Sequence, residues 1–405
     1  MSGRLVAGIV AAAVVSAPAA ASPQTPGAAS GWRDGFVLQS DTGDYRLHLG
    51  ALLQLDGRFG LDDPQETLAD TFVVRRVRPI FQARVARHFD FYLAPDFAGG
   101  AVNLRNAYVE TRFSPAFRVR FGKDKAPVGL ERMHSAASLL FVERGLPTLL
   151  VPDRDIGIQV LGEVAAGTVA YAGGVFNGVV DGTSADADTN DGKDLAGRVI
   201  VRPFARSAQH PLAGLGVGIG GTRGTQPAVL PSFRTSAQQT FFTYNRNAVG
   251  EGVRHRISPQ TFYYYKAFGG FAEYARSTGR VSLGAVGDDI VQEAWQIAGS
   301  FVVTGERASD RGVRPAQPFD PASGHWGALQ VAARYNVLAV DDRVVTLGLA
   351  GSGARRAKAF AAGVNWYMNP FVKWVFNFER TAFDGFVGDP RPSEVVLLLR
   401  NQISF

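Results

Sequence analysis

From Tyr45 to Phe59 apolar and polar residues alternate. Tyr45, Leu47, Leu49, Ala51, Leu53, Leu55 and Phe59 fall on one face; Arg46, His48, Gln54, Asp56 and Arg58 fall on the other. A period of two marks a strand with one apolar side. The run is far longer than the usual strand of a soluble sheet, about five or six residues. The same alternation returns down the chain. Phe117, Val119 and Phe121 oppose Arg118 and Arg120; Leu329, Val331, Ala333 and Tyr335 oppose Gln330, Arg334 and Asn336; Trp374, Phe376 and Phe378 oppose Lys373, Asn377 and Glu379. About sixteen such segments can be placed, the size of a channel-forming barrel. The pattern predicts an all-β protein, a transmembrane antiparallel β-barrel of about sixteen strands.

The connections set its orientation. Short ones lie at His88–Asp90, Ser114–Pro115, Ala165–Ala166 and Asn369–Pro370; long ones run over 60–70, 126–153, 179–193 and 226–253. Outer-membrane barrels have short periplasmic turns and long external loops. The segment 306–324 breaks the rule, being long yet periplasmic by strand counting. Either the count slips there or a periplasmic segment folds into the pore.

Composition agrees with a barrel. Apolar residues make up 46% of 405, with 47 Gly and 28 Phe, yet no long apolar helix follows the first twenty residues. Lipid-facing and lumen-facing residues cancel in the average. Aromatic clusters such as Phe262–Tyr265 beside Phe268 suit membrane–water girdles or an aromatic core. The chain has no Cys, which fits export through an oxidising compartment or a Cys-poor genome. Arg4, the apolar run Leu5–Ser16 and Ala19–Ala21 read as a signal peptide over 1–21. A linker over 22–43 and the barrel over 44–405 are expected to follow. The last strand alternates Val395, Leu397, Leu399, Ile403 and Phe405 against Glu394, Arg400, Gln402 and Ser404. Its terminal Phe405 looks like the signal read by the bacterial barrel-insertion machinery.

The formal net charge of +6 favours anionic partners. Nucleic acid is not expected, because no Lys/Arg-rich run occurs. The basic residues instead follow strand parity. In FVVRRVRPIFQARVAR, Arg76, Arg78, Gln82 and Arg84 share one face against Val77, Pro79, Phe81, Ala83 and Val85; Arg75 sits where parity is uncertain. With apolar residues on lipid, these arginines face the lumen, joined by Arg58, Arg118 and Arg120. A file of guanidiniums lowers the energy of a passing anion, since each stays charged and can hold oxyanions bidentately. The competing reading is that they balance lumen acids, for which Asp56 and Glu110 are available. The connection GKDKAPVGLERMHSAASLLFVERGLP carries Lys123, Lys125, Arg132, His134, Ser135, Ser138 and Arg144, with an apolar face of its own at Leu139–Phe141. A loop of that size with an apolar face folds against something. Folded inward near 126–153 it makes a constriction; folded outward, a lid or a trimer contact.

The sequence resembles the phosphate-selective porin O and P family over nearly the whole mature chain. The resemblance rests on GWRDGFVLQSDTGDYRLHLGALLQLDGRF, VVRRVRP, GKDKAPVGLER…FVERGLP, RHRISPQTFYYYKAFGGFAEY, AWQIAGSFVVTGE, WGALQVAARYNVL and AGVNWYMNPFVKWVFNFERTAF, in that order, with the Phe405 terminus. It implies a sixteen-stranded homotrimer that conducts anions through inward-folded loops, surrounded by outer-membrane lipid and lipopolysaccharide. It also implies a phosphate site at Arg75 and Arg76 with Lys123 and Lys125, and a periplasmic segment folded inward. The loop departs from the family in having His134 and a lone Ser135 where an extended Ser/Lys cluster is expected.

Other chemistry is weakly supported. Asp186, Asp188 and Asn190 have the spacing of a calcium loop, but Asp191 and Gly197 stand where such a loop needs Gly and Glu, so a solvated acidic loop is expected. The six His lack paired metal spacing, and GxSxG and Cys nucleophiles are missing; no metal, cofactor or catalytic residue is expected. GIGGTRG over 218–224 precedes no helix and reads as strand glycines. The leading expectation is an anion porin, and a general diffusion porin is its rival, separated by phosphate block of chloride current. A surface hydrolase would show activity in detergent extract, and a soluble secreted β protein would appear in the periplasm without detergent.

Overall fold

The computed structural model describes residues 29–61, 68–188, 190–207 and 209–405. The expected signal peptide lies outside them. The described residues form β1 (Ala29–Trp32), β2 (Phe36–Gln39), β3 (Arg46–Leu61), β4 (Thr71–Val85), β5 (Phe89–Asp96), β6 (Asn103–Ser114), β7 (Phe117–Lys125), β8 (Arg154–Val164), β9 (Val169–Phe176) and β10 (Asp194–Val201). Then come β11 (Gly216–Thr225), β12 (Phe233–Arg234), β13 (Thr240–Tyr244), β14 (Val249–Tyr265), β15 (Phe268–Leu283), β16 (Val286–Val302), β17 (Ala328–Val340), β18 (Ala350–Tyr367), β19 (Val372–Val387) and β20 (Glu394–Ser404).

Sixteen of these close into one antiparallel barrel, each strand paired with the next in sequence except where β12 and β13 are bypassed by β11–β14. Closure comes from β20 on β3, from Val395 opposite Leu61 to Ser404 opposite Leu52. Phe405 extends the seam by exchanging backbone bonds with Ala51, at 2.9 and 3.1 Å. Below it, β2 continues the line of β20 along β3, and Trp32 packs on Phe36, Phe371 and Phe405. Part of the segment expected as a linker, 22–43, is therefore a hairpin. Its strands of four residues are too short for a period-two signal.

Apolar side chains point outward along every barrel wall; Phe72, Phe121 and Ile297 are among the exposed ones. The inner face is polar and crowded, with Gln54, Asn365, Arg334 and Arg400 all buried. Long external loops connect β3–β4, β7–β8, β9–β10 and β11–β14, while β15 and β16 join externally through Gly284 and Ala285 alone. The loop after β11 is not irregular throughout: β12 and β13 form a hairpin whose second strand pairs with the start of β18. At the periplasmic end, 303–327 folds across the barrel mouth. Ala308 and Val313 are buried against Val302, Ala328 and Tyr367, and Arg314 reaches Asp34 of the N-terminal hairpin at 2.5 Å. The strand count does not slip there; the anomalous segment folds inward.

Candidate functional site

Irregular backbone at membrane depth is tolerated only where protein or water satisfies its polar groups. The loop 126–153 lies inside the barrel and meets this requirement through the wall. Asn377 accepts from Val142 N (2.6 Å), Asn336 from Leu146 N (3.0 Å) and Glu273 from Leu130 N (2.5 Å). In the other direction Gln54, Gln402, Lys373, Asn365 and Arg334 donate to the carbonyls of Ala136, Ala137, Leu139, Leu140 and Glu143, all within 3.1 Å. The apolar side of the loop seats on small lumen residues. Leu130 and Phe141 cluster with Phe271, Ala298, Ala332 and Ala361, and Leu146, Leu150 and Val151 join a core with Ala275, Ala294 and Ala357. The rows of alanine make room for the loop. At Gly145 the approach is so close that a Cβ would run into the Gln296 amide. Two more segments crowd the same side: Asp181 of 177–193 bonds Arg256 (2.6 Å) and Ser277 (2.6 Å), and Phe233, Phe241 and Phe242 of 226–248 are buried.

The lumen cavities that remain lie on the side of β3 to β8. There a chamber of about 320 Å³ is lined by Leu52, Arg78, Ile80, Tyr92, Ala94, Asn106, Tyr108, Arg120, Asp124, Lys125, Met133, Ser135, Ala136 and Arg154. Four cations and one carboxylate line it. A second cavity of about 340 Å³ toward the periplasm is balanced, with Arg33, Arg46 and Arg84 against Asp34, Asp90 and Glu110.

Most of the cations have acidic partners. Arg78 bonds Asp96 at 2.6 Å, Arg120 bonds Glu110 at 2.6 Å and also Asp124, and Arg154 bonds Asp153 at 2.8 Å. Arg120 also lies 4.1 Å from the centre of the Tyr108 ring. Lys125 differs. Its ammonium donates to the carbonyls of His134 (2.8 Å) and Met133 (3.1 Å), with no carboxylate in ion-pair range among the described residues.

The twelve residues expected to bind anions therefore separate. Arg78, Arg120, Lys125 and Ser135 line the chamber. Arg84 and Arg118 stand toward the periplasm, on Asp90 and Glu110. Arg58 and Arg75 gather on Glu143, at 3.7 and 2.6 Å, on the external side. Burial works against the Glu143 charge, but Arg75, Arg76 and Arg400 hold its carboxyl well below the usual range. Arg75 faces inward because a bulge between Gln54 and Leu55 makes it the extra residue, so that it and Arg76 both leave the lipid face. Arg76 is sealed beneath the loop, donating to Gln54 at 2.5 Å. Arg132 and Arg144 brace the loop from within, on Asp153 and on the carbonyls of Glu131 and His134. Lys123 is buried against Asp186, away from the chamber. That pair, with Lys193 on Asp188 at 2.6 Å, also engages the carboxylates whose spacing resembles a calcium loop.

Sequence reading missed Arg154 and Arg105. Arg154 begins β8 directly after the loop, where alternation is not yet set, and Arg105 is the unpaired residue of a bulge in β6. Arg105 completes the cluster through Asp153.

The loop should respond to acid. His134 stacks edge-on against Phe271, and burial lowers its pKa to about 4. A loop released from the wall would regain a His of ordinary pKa, about 6.5. Protonation thus favours release, so docking is strongest above about 6.5, weakens as pH falls from there to about 4, and changes no further below it. Single-channel recordings should show growing current noise between those limits, and His134→Phe should abolish that increment.

A family model described as phosphate-selective porin O and P matches residues 49–382. Among solved structures, the chain is similar to the outer membrane channel DcaP of Acinetobacter baumannii, at 11% identity and TM-score 0.58 over 92% of this chain and 99% of that one. It is similar to the OmpT outer membrane protein of Vibrio cholerae, at 12% identity and TM-score 0.57 over 91% and 99%. It is also similar to an anion-selective porin from Comamonas acidovorans, at 11% identity and TM-score 0.54 over 89% and 100%. No curated protein sequence matches it. At these identities the structural likeness speaks for the fold.

Proposed function

Because the chain belongs to the phosphate-selective porin O and P family and forms an outer-membrane porin barrel, we propose that it passively conducts small oxyanions, phosphate first among them. The observation that carries this reading is the chamber lining: Arg78, Arg120, Lys125 and Arg154 against Asp124 alone. An ion entering there exchanges water for guanidinium and ammonium contacts. Several shallow contacts in series let it leave again. Toward the periplasm Arg118, Arg84 and Arg46 continue the file; outside, Arg58 and Arg75 begin it. The anion-selective porin from Comamonas acidovorans shares the barrel and lends the reading support.

The same proposal includes a homotrimer. A similar structure, OmpT of Vibrio cholerae, is described in a trimer form, and the outer face of β4 to β8 is apolar and open at Phe72, Phe113 and Phe121. It also includes export by the signal peptide over 1–21, recognition of Phe405 by the insertion machinery, and a setting of outer-membrane lipid and lipopolysaccharide.

A general anion pore without phosphate preference is the second reading. The carboxylate partners of Arg78, Arg120 and Arg154 favour it, since they occupy donors that phosphate would need. Chloride current in planar bilayers separates the two. A site that releases its ion readily, about 1 mM or about −4 kcal/mol, gives half-block by millimolar phosphate. Chloride current that stays constant as phosphate is added supports the general pore.

A further inference from the structure

Three glycines lie side by side on the outer wall: Gly197 of β10 pairs with Gly173 of β9 and with Gly221 of β11. Their neighbours Leu195, Val199, Ile219 and Ile257 are exposed apolar residues, so this face looks into the membrane. Strands are about 4.8 Å apart, so the missing side chains leave a trough about 10 Å long across the strands. It belongs to an outer cavity of about 1120 Å³.

The fold does not need glycine at two of these positions. A Cβ at Gly173 or Gly197 would meet nothing nearer than 3.7 or 3.8 Å, an ordinary contact. Gly221 differs, since a Cβ there would stand 2.7 Å from the Arg256 carbonyl. On the external border of the trough, Arg223 and His255 are direct cross-strand partners. Arg276 follows on β15, 3.7 Å from Glu293. Among the described residues neither the Arg223 nor the His255 side chain has a hydrogen bond or ion pair. The Arg223 guanidinium is a charge on the lipid face, which is costly, and the His255 ring beside it offers a second hydrogen-bonding group. An anion bound between them pairs that charge and relieves the cost.

We propose that this trough binds a phosphate-bearing lipid of the outer leaflet, its acyl chain over the glycines and its phosphate between Arg223 and His255. The site is on the outside of the barrel, independent of the lumen and of its selectivity. Charge complementarity selects a lipid here over a second copy of the chain, because the outward carboxylate at this height, Glu293, is already engaged by Arg276 and Tyr274.

Co-purification of the full chain in neutral detergent tests it, with dioleoyl phosphatidic acid, the matching neutral diacylglycerol and inorganic phosphate as probes. Phosphatidic acid should be retained about tenfold over diacylglycerol. Arg223→Gln with His255→Gln should remove that preference, and Gly197→Leu should cut retention of both lipids about tenfold with bilayer currents unchanged. Equal retention of the two lipids, or competition by free phosphate alone, overturns the proposal. So does a Gly197→Leu variant that loses its oligomeric state yet keeps its lipid, which would make the trough a contact between copies.

Discussion

Replacing Lys125 by glutamine is expected to lower the anion-to-cation permeability ratio about fivefold. The position is the cleanest available, because no described carboxylate lies within ion-pair distance of the ammonium and none is orphaned by its loss. Glutamine still donates to the carbonyls of Met133 or His134, so the loop keeps its tether. A unit charge about 6 Å from the ion contributes about 2–3 kcal/mol at an effective dielectric of 20. Water in the chamber reduces that to about 1 kcal/mol, which is the fivefold change. Lys125→Glu doubles the change in charge and should bring the pore close to cation preference. Reversal potentials under a salt gradient measure both. Arg76→Gln, beneath the loop, serves as the control and should leave the ratio nearly unchanged. A Lys125→Gln ratio equal to that of the unmodified channel removes the chamber from the selectivity mechanism.

The second large effect is expected at Arg334. Its side chain is wholly buried and holds three things together: the Glu143 carbonyl at 3.0 Å, Glu379 at 3.2 Å and Glu131 at 3.6 Å. Its guanidinium also lies 4.4 Å from the centre of the Phe141 ring. Arg334→Met leaves two buried carboxylates without their cation, at a cost of about 3–5 kcal/mol. The barrel has many strand pairs to resist that loss, whereas the loop is held to the wall by side chains. The loop should therefore detach first. Single-channel conductance should rise about twofold or more as the passage widens, and selectivity should fall with it. Adding Glu379→Gln should restore part of the docking. An intact barrel with unaltered conductance would show that the loop is held elsewhere.

Much of the barrel was legible because lipid enforces alternation. Along β3, β7, β17 and β19 the faces read from sequence are the faces observed. Legibility ended where alternation ended. Arg75 and Arg105 sit in bulges, and Arg154 and Lys125 flank a loop, so parity could not place them. The polar faces of β17, β19 and β20 were visible, but not their task. Asn336, Asn365, Lys373, Asn377 and Gln402 look like ordinary pore-lining residues and instead receive the loop. Pairing was hidden for the same reason. Strand parity shows that Arg120 and Glu110 both point inward; it does not say that they meet.

The extra residue at Arg75 has an evolutionary consequence. In β4, Val73, Val74 and Arg76 pair in turn with Asp56, Leu55 and Gln54, and Arg75 is surplus to the count. Losing it would leave the order of inside and outside intact through the rest of the hairpin. A deletion elsewhere in the strand would turn every residue beyond it inside out. The mouth of the channel can thus gain or shed a charge by a single-codon change in length, while the lipid-facing coat of the protein stays as it was.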